Sequence, residues 1–403
     1  MKTNKILLSL ATAALVASAA HAGPKLTWND GDSSMEIFQM VQVWGMNTID
    51  DNSNVAEDSS DLYIRRGRIG VKGKVNADTK YKVWFAYDNL GKGNNNILMG
   101  TPHDDTNANK DFYIWDAYFE HSFNKEYANV AFGYFRPQVG KESITSGFTI
   151  NAYEKGLSNF YYRKHIVGRG PGREVGINLG GLTLDKKLNY NFGIFNPNHT
   201  AITGADDAAS DGDVVAKATN ESSWMYTARV AYSFGDEEMK KFKLGYTTNY
   251  FGKRNGTTVG LNYTYQGETD KFNHNISRSV DVLSNYGNFN FSGELDSLVR
   301  DGGEAKVSTF RAGYNIPLSG GKVIEPAAMY TKADVTDLDT DHFTTAKEYG
   351  NGTAGNQTIK SVGLNYYAKG MKEKYSIHIA EFDKTVDGEG VNKVLTFGAQ
   401  FIF

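Results

Sequence analysis

The chain has 403 residues, no cysteine, and 43 basic against 46 acidic residues, a net charge of −3. The missing thiols exclude disulfides, thiolate metal sites and thiol catalysis, and the charge gives no reason to expect a nucleic-acid partner. With 43 glycines, 24 tyrosines and 23 phenylalanines but only 7 prolines, the composition is aromatic and Gly-rich, unlike most soluble globular domains.

At the N-terminus Lys2 and Lys5 precede an apolar run, Ile6 to Ala17, that is too short to span a bilayer. Ala20-His21-Ala22 then has the small-residue pattern of a cleavage site. Residues 1–22 read as a signal peptide and residues 23–403 as the exported chain. No later stretch approaches the roughly 20 apolar residues of a membrane helix. An exported chain with alternating aromatic strands points instead to an outer-membrane β-barrel, in contact with lipid and lipopolysaccharide.

Leu62–Val75 (LYIRRGRIGVKGKV) is the first informative strand. Arg66, Arg68, Lys72 and Lys74 project to one side, and Tyr63, Ile69, Val71 and Val75 to the other. A cation facing lipid at midplane costs roughly 2–4 kcal/mol, so the basic face is expected in the lumen. Arg65 falls on the lipid-facing parity and is expected near an interface, where that cost is small. A wall with five basic residues and no acid concentrates anions. In the next strand, Tyr81, Val83, Phe85 and Tyr87 are expected outward, with Lys82, Trp84, Ala86 and Asp88 inward.

Between the strand-like runs at Asn129–Phe135 and Glu174–Gly181 lies a connection with no clean period of 2 or 3.6. A connection this long is usually functional or disordered. Phe148, Tyr153, Phe160, Tyr161 and Tyr162 demand burial, so it is read as ordered and folded into the lumen. It carries Arg136, Lys141, Lys155, Arg163, Lys164, Arg169 and Arg173 against Glu142 and Glu154. Two later connections are acidic, with Asp206, Asp207, Asp211 and Asp213 in one and Asp334, Asp337, Asp339 and Asp341 in the other. They read as solvated outer loops, with bridging of divalent ions between lipopolysaccharides as the alternative.

At the C-terminus Leu395, Phe397, Ala399, Phe401 and Phe403 repeat at every second position, a lipid-facing strand. Tight turns are expected at Asn76–Thr79, Phe123–Glu126, Thr183–Lys186, Gly235–Met239, Asn285–Gly287, Pro317–Gly321 and Gly370–Lys372. Longer or more polar connections are expected at Asn47–Asp61, Gly91–Lys110, Arg136–Gly172, Pro197–Glu221, Gly252–Ser277, Arg300–Gly303, Val335–Asn356 and Val386–Gly390. They separate sixteen antiparallel strands with both chain ends on the short-turn side. Thr257–Gln266 alternates like a strand, yet parity puts it inside an outer loop; a partner for it would make eighteen. Either barrel is wide enough for an aqueous channel.

The histidines are scattered, and none sits in a tight polar motif with a serine, so no hydrolase triad is expected. HExxH spacing is absent, and the Gly-rich runs do not open helices, so no metal, cofactor or nucleotide site is expected.

IRRGRIGVKGKV, YKVWFAYD, WDAYFEH and GYFRPQVGKESITSG, with Gly133, Phe135, Pro137, Gly140, Glu142 and Ser146 as the most specific piece, resemble the phosphate-selective porin family. GREVGINLGG, FSGELDSL, GYNIPLSGGK and SVGLNYYAKG continue the likeness toward the C-terminus. The resemblance implies a sixteen-stranded homotrimeric barrel whose third outer loop folds into the channel and whose lining is basic. The expectation is thus a passive porin for small hydrophilic solutes, preferring anions such as phosphate. Arg66, Arg68, Lys72, Arg136, Lys141, Arg163 and Lys164 are the candidates for its anion pathway. A general or cation-tolerant porin, an oligosaccharide-type channel and a non-conducting adhesin barrel are the alternatives.

Overall fold

Alternation of period 2 runs through most of the chain, and the structure turns it into one closed sheet. The computed structural model describes residues 23–50, 60–92, 112–167, 172–197, 223–269, 272–301, 303–336, 356–384 and 392–403. The expected signal peptide, Arg169 and the acidic runs at 206–213 and 337–341 lie outside these residues.

Among the described residues sixteen strands follow one another as antiparallel neighbours. The first eight are β1 (Ser33–Asp50), β2 (Ser60–Lys74), β3 (Thr79–Ala86), β4 (Tyr113–Asn124), β5 (Ala128–Phe135), β6 (Glu174–Thr183), β7 (Leu188–Phe195) and β8 (Met225–Gly235). The second eight are β9 (Gly256–Gln266), β10 (Asn275–Tyr286), β11 (Phe289–Arg300), β12 (Gly303–Tyr314), β13 (Val323–Val335), β14 (Gln357–Tyr367), β15 (Glu373–Lys384) and β16 (Asn392–Ile402). β16 pairs with β1, from Ile402 opposite Met40 to Lys393 opposite Asp50, and so closes the barrel. Two short pieces, Lys25–Trp28 beside β1 and Ile316–Pro317 beside β13, extend the rim without adding a stave. Both chain ends meet at the short-turn end, where Gln39 and Phe403 exchange backbone hydrogen bonds of 2.7 and 2.9 Å.

The strand count of sixteen is as expected, but one member is different. Gly256–Gln266 is a full stave, paired with β8 and β10 along its length. The segment after Gly235, expected to turn tightly and become a strand, instead runs as an insert over residues 236–255 and enters the lumen. Both segments alternate, so period alone does not choose between them; cross-strand chemistry does. Arg229 of β8 reaches over β9 to form a bidentate pair with Asp281 of β10, with Nη2 2.9 Å from Oδ1. The stave between them has glycine at the crossing: a Cβ at Gly260 would lie 2.5 Å from the Arg229 guanidinium and 2.7 Å from the Asp281 carboxylate. At Arg300–Gly303, expected as a longer or more polar connection, Arg300 and Gly303 pair directly.

A second departure comes from a bulge. Gln42 of β1 faces Arg66 of β2, but Val43 faces Ile64, which makes Arg65 the extra residue. The side-chain parity therefore flips there. Tyr63, expected outward, is 3 % exposed and donates its hydroxyl to Met46 in the lumen. Arg65, expected at a lipid interface, is also turned inward and buried. On β3 the expected faces hold, with Trp84, Ala86 and Asp88 buried inside and Phe85 stacked outside on Phe112.

Outward positions elsewhere carry exposed Leu261, Val362, Ile177 and Leu364. A continuous apolar exterior of this kind suits hydrocarbon and not water. Part of the lumen is filled from within. Residues 136–167 fold inward as two helices, α1 (Lys141–Ile144) and α2 (Leu157–Val167), with extended chain between them. α2 is buried on nearly all sides, by polar and apolar neighbours alike, so it has no amphipathic stripe and left no helical period in the sequence.

Candidate constriction site

The inward loop is tied to the wall along its length. Its polar backbone sits in a closed space, so each carbonyl and amide needs a partner there. The wall supplies them by strand. Gln42 of β1 donates to the Gly147 carbonyl at 3.1 Å, and Gln400 of β16 to that of Phe148 at 2.9 Å. Lys374 of β15 reaches the Ile150 carbonyl at 3.1 Å, and Asn365 of β14 that of Asn151 at 2.7 Å. Arg300 of β11 and Asn275 of β10 both donate to the His165 carbonyl, at 2.9 and 2.8 Å. The gap left between loop tip and wall, lined by Gln42, Trp44, Tyr153 and Lys374, is a cavity of about 10 Å³, room for one water at most.

Charge reinforces the seating. Glu154 accepts from Arg65 Nε at 2.8 Å and pairs closely with Arg66. Glu142 takes a bidentate clasp from Arg311 of β12, with Nη2 2.7 Å from Oε1. From the other end, the insert meets the loop: Lys141 pairs with Glu238, and Thr248 donates its amide to the Thr149 carbonyl at 3.2 Å. Tyr246 of the insert donates to Asn189 Oδ1 of β7 at 3.0 Å. Loop and insert together occupy the part of the lumen enclosed by β6–β16 and the start of the sheet.

The wall of β2–β5 is where cations collect. Lys72 pairs with Glu36 at 3.1 Å, yet its side chain is 46 % exposed. Lys82 of β3 lies 3.6 Å above the Trp84 ring. Trp115 is the extra residue of a bulge in β4, and two guanidiniums flank its ring: Arg68 at 3.6 Å and Arg173 at 3.9 Å. Arg68 is clasped by Asp88, and Arg173 by Asp116 at 3.0 Å. Arg136, at the start of the loop, donates to the carbonyls of Ser143 and Thr145, which are neutral. Burial, and then the positive charges of Arg173, Arg163 and Arg68 against the pull of Asp116, push the Arg136 guanidinium well below the ordinary arginine range. Burial likewise lowers Arg173, against the pull of Asp116. Arg68, Arg136, Arg163, Arg173 and Lys82 thus gather in one region, with Asp88 and Asp116 as the carboxylates among them.

The seven residues expected on the pathway therefore have different surroundings. Lys72 is exposed, while Arg136 and Arg163 are half-buried around this cluster. Arg66 and Arg68 face the lumen as expected but are buried in ion pairs with Glu154 and Asp88. Lys141 is turned to the insert, and Lys164 is buried. Lys82 and Arg173 join the cluster although they were not among the seven. Lys82 was legible as an inward position of its strand; Arg173 was one loop cation among many. Trp115 was hidden by its bulge.

The profile of the family described as phosphate-selective porin O and P matches residues 41–296. None of the curated proteins matches the chain by sequence. Among solved structures, OprB of Pseudomonas putida superposes with a TM-score of 0.63 at 9 % identity, covering 96 % of this chain and 100 % of its own. An anion-selective porin from Comamonas acidovorans gives 0.53 at 14 % identity, with 92 % and 100 % covered. The outer membrane channel DcaP of Acinetobacter baumannii gives 0.55 at 11 %, with 95 % and 100 % covered. At such identities the likeness is one of fold.

Proposed function

The chain belongs to the phosphate-selective porin O and P family, and from that premise we propose that this outer-membrane porin prefers small anions, phosphate among them. The observation that carries the reading is the setting of Arg136. Its hydrogen bonds go to neutral carbonyls, and the cations beside it, Arg173, Arg163 and Lys82, outnumber Asp116, the carboxylate that acts on it.

The mechanism is passive. Loop and insert narrow the lumen toward the β2–β5 wall, and the cations there lower the barrier for an anion while raising it for a cation. Arginine suits phosphate because its planar fork donates two hydrogen bonds and keeps its charge. The site must stay weak for conduction to continue, and water-exposed Lys72 offers an anion its next contact on the way out. Function as a homotrimer is supported by the family resemblance alone.

The test is the reversal potential in a planar bilayer under a KCl gradient, with phosphate then added. Anion-selective current blocked by phosphate is expected. Replacing Arg136 and Lys82 together by glutamine should lower the anion-to-cation permeability ratio severalfold. Unselective wild-type current, indifferent to phosphate, would reduce the protein to a general porin. Selectivity unmoved by the double variant would place the filter elsewhere.

A further inference from the structure

The outer wall divides into two unlike halves near its loop end. On β1–β9 the outward positions there include Ile49, Leu62, Ile114, Ile194, Tyr226 and Tyr265, all exposed. Among the described residues, no Asp, Glu, Lys or Arg faces outward on these strands. On β10–β16 the same level is charged: Arg278 on β10, Lys306 on β12, Lys332 on β13, Lys360 on β14 and Lys393 on β16 all sit at outward positions.

These cations form a belt with carboxylates between them. Lys332 lies 2.7 Å from Asp334, Lys360 3.1 Å from Glu381, and Lys306 3.5 Å from Glu304. The register makes the belt continuous: Lys306 stands opposite Asp334, Lys360 opposite Glu381, and Glu381 opposite Lys393. Its level is fixed by the apolar residues beneath. From Tyr366 to Lys360 the outward face of β14 climbs about 15 Å, at roughly 3.3 Å per residue and a tilt of about 40°. The apolar band of such barrels is about 25 Å tall, so the belt lies within reach of lipid headgroups and not in open water. A lysine in that position is costly at the midplane and tolerable at the interface, where anionic headgroups meet it.

We propose that the belt over β10–β16 is a docking surface for the phosphorylated glycolipid of the outer leaflet, lipopolysaccharide. The lysines donate to its phosphate oxygens, and the interleaved carboxylates engage the divalent cations that those phosphates carry. Charge complementarity favours a lipid over a protein partner. A dry protein contact would strip water from a row of ion pairs, at a desolvation cost that headgroups, which are themselves wet, do not impose.

The experiment uses the folded full-length protein in detergent, with lipopolysaccharide and with the same lipid after chemical removal of its phosphates. Binding is read by native mass spectrometry and by anisotropy of labelled lipid. Wild type is expected to bind the phosphorylated form at least tenfold more tightly. The K306Q/K332Q/K360Q/K393Q variant should lose most of that preference, with single-channel conductance unchanged because the belt lies outside the lumen. Equal affinity of wild type for both lipids would overturn the proposal, as would a variant that keeps the preference. A variant whose oligomeric mass shifts while its lipid preference stays would assign the belt to a protein contact. Should the quadruple variant not reach the folded barrel, K332Q/K360Q and the wild-type comparison decide.

Discussion

Glu154 receives two guanidiniums from consecutive residues, an arrangement that only a bulge makes possible, because regular pleating would send Arg65 and Arg66 to opposite faces. Burial works to raise the pKa of this carboxyl, but Arg65 and Arg66 outweigh it and hold it at about 2. The folded value thus lies below the ordinary 4.5, so the anchor's contribution is complete above pH about 4.5 and is lost as pH falls through about 2. Single-channel records are expected to be quiet from pH 8 to 5 and to become noisy only toward pH 2. Onset of noise between pH 5 and 7 would show that another group holds the loop. Glu154→Gln should bring the noise to neutral pH, since two buried cations then lack their counter-charge, a loss on the order of 3 kcal/mol. At this scale the sequence was partly legible. Parity placed Arg66, Arg68 and Lys82 inside because lipid tolerates no alternative. It misplaced Tyr63 and Arg65 because a bulge adds one residue and leaves no periodic trace.

At the scale of elements, the loop and the insert do jointly what neither does alone. The loop enters from the long-connection end and the insert from the short-turn end, and they meet at Lys141–Glu238 and along Thr145–Thr149. Lys141→Met leaves Glu238 buried without a partner and should detach the insert, raising conductance and exposing residues 236–255 to protease. Unchanged conductance together with unchanged protease resistance would mean that the Thr149 contacts hold the insert unaided. The staves themselves were legible, since each pairs a lipid face with a polar face. The insert was not. Phe242 and Tyr246 are buried in the lumen, but their spacing is the same as that of lipid-facing residues, and period 2 reports burial without saying on which side. α2 was illegible for the opposite reason, being buried on nearly all sides.

For the whole molecule, the distribution of charge matters more than its total. A chain that is net acidic gathers cations on one part of its inner wall, and the proposed anion selectivity would depend on how far their field reaches into the water. The Debye length shrinks from about 10 Å at 0.1 M salt to about 3 Å at 1 M. Anion preference should therefore fall clearly between those concentrations, as read from reversal potentials at a fixed gradient ratio. Preference independent of salt would indicate contact binding and not a field. One further consequence follows from the seam where the first and last staves meet. Gln42 and Gln400 stand on opposite sides of it and are joined at 2.6 Å, and each also holds a carbonyl of neighbouring loop residues, Gly147 and Phe148. The loop tip thus bridges the seam from within. Closing the circle and seating the loop therefore share the same two side chains, so a substitution at either glutamine strikes both at once.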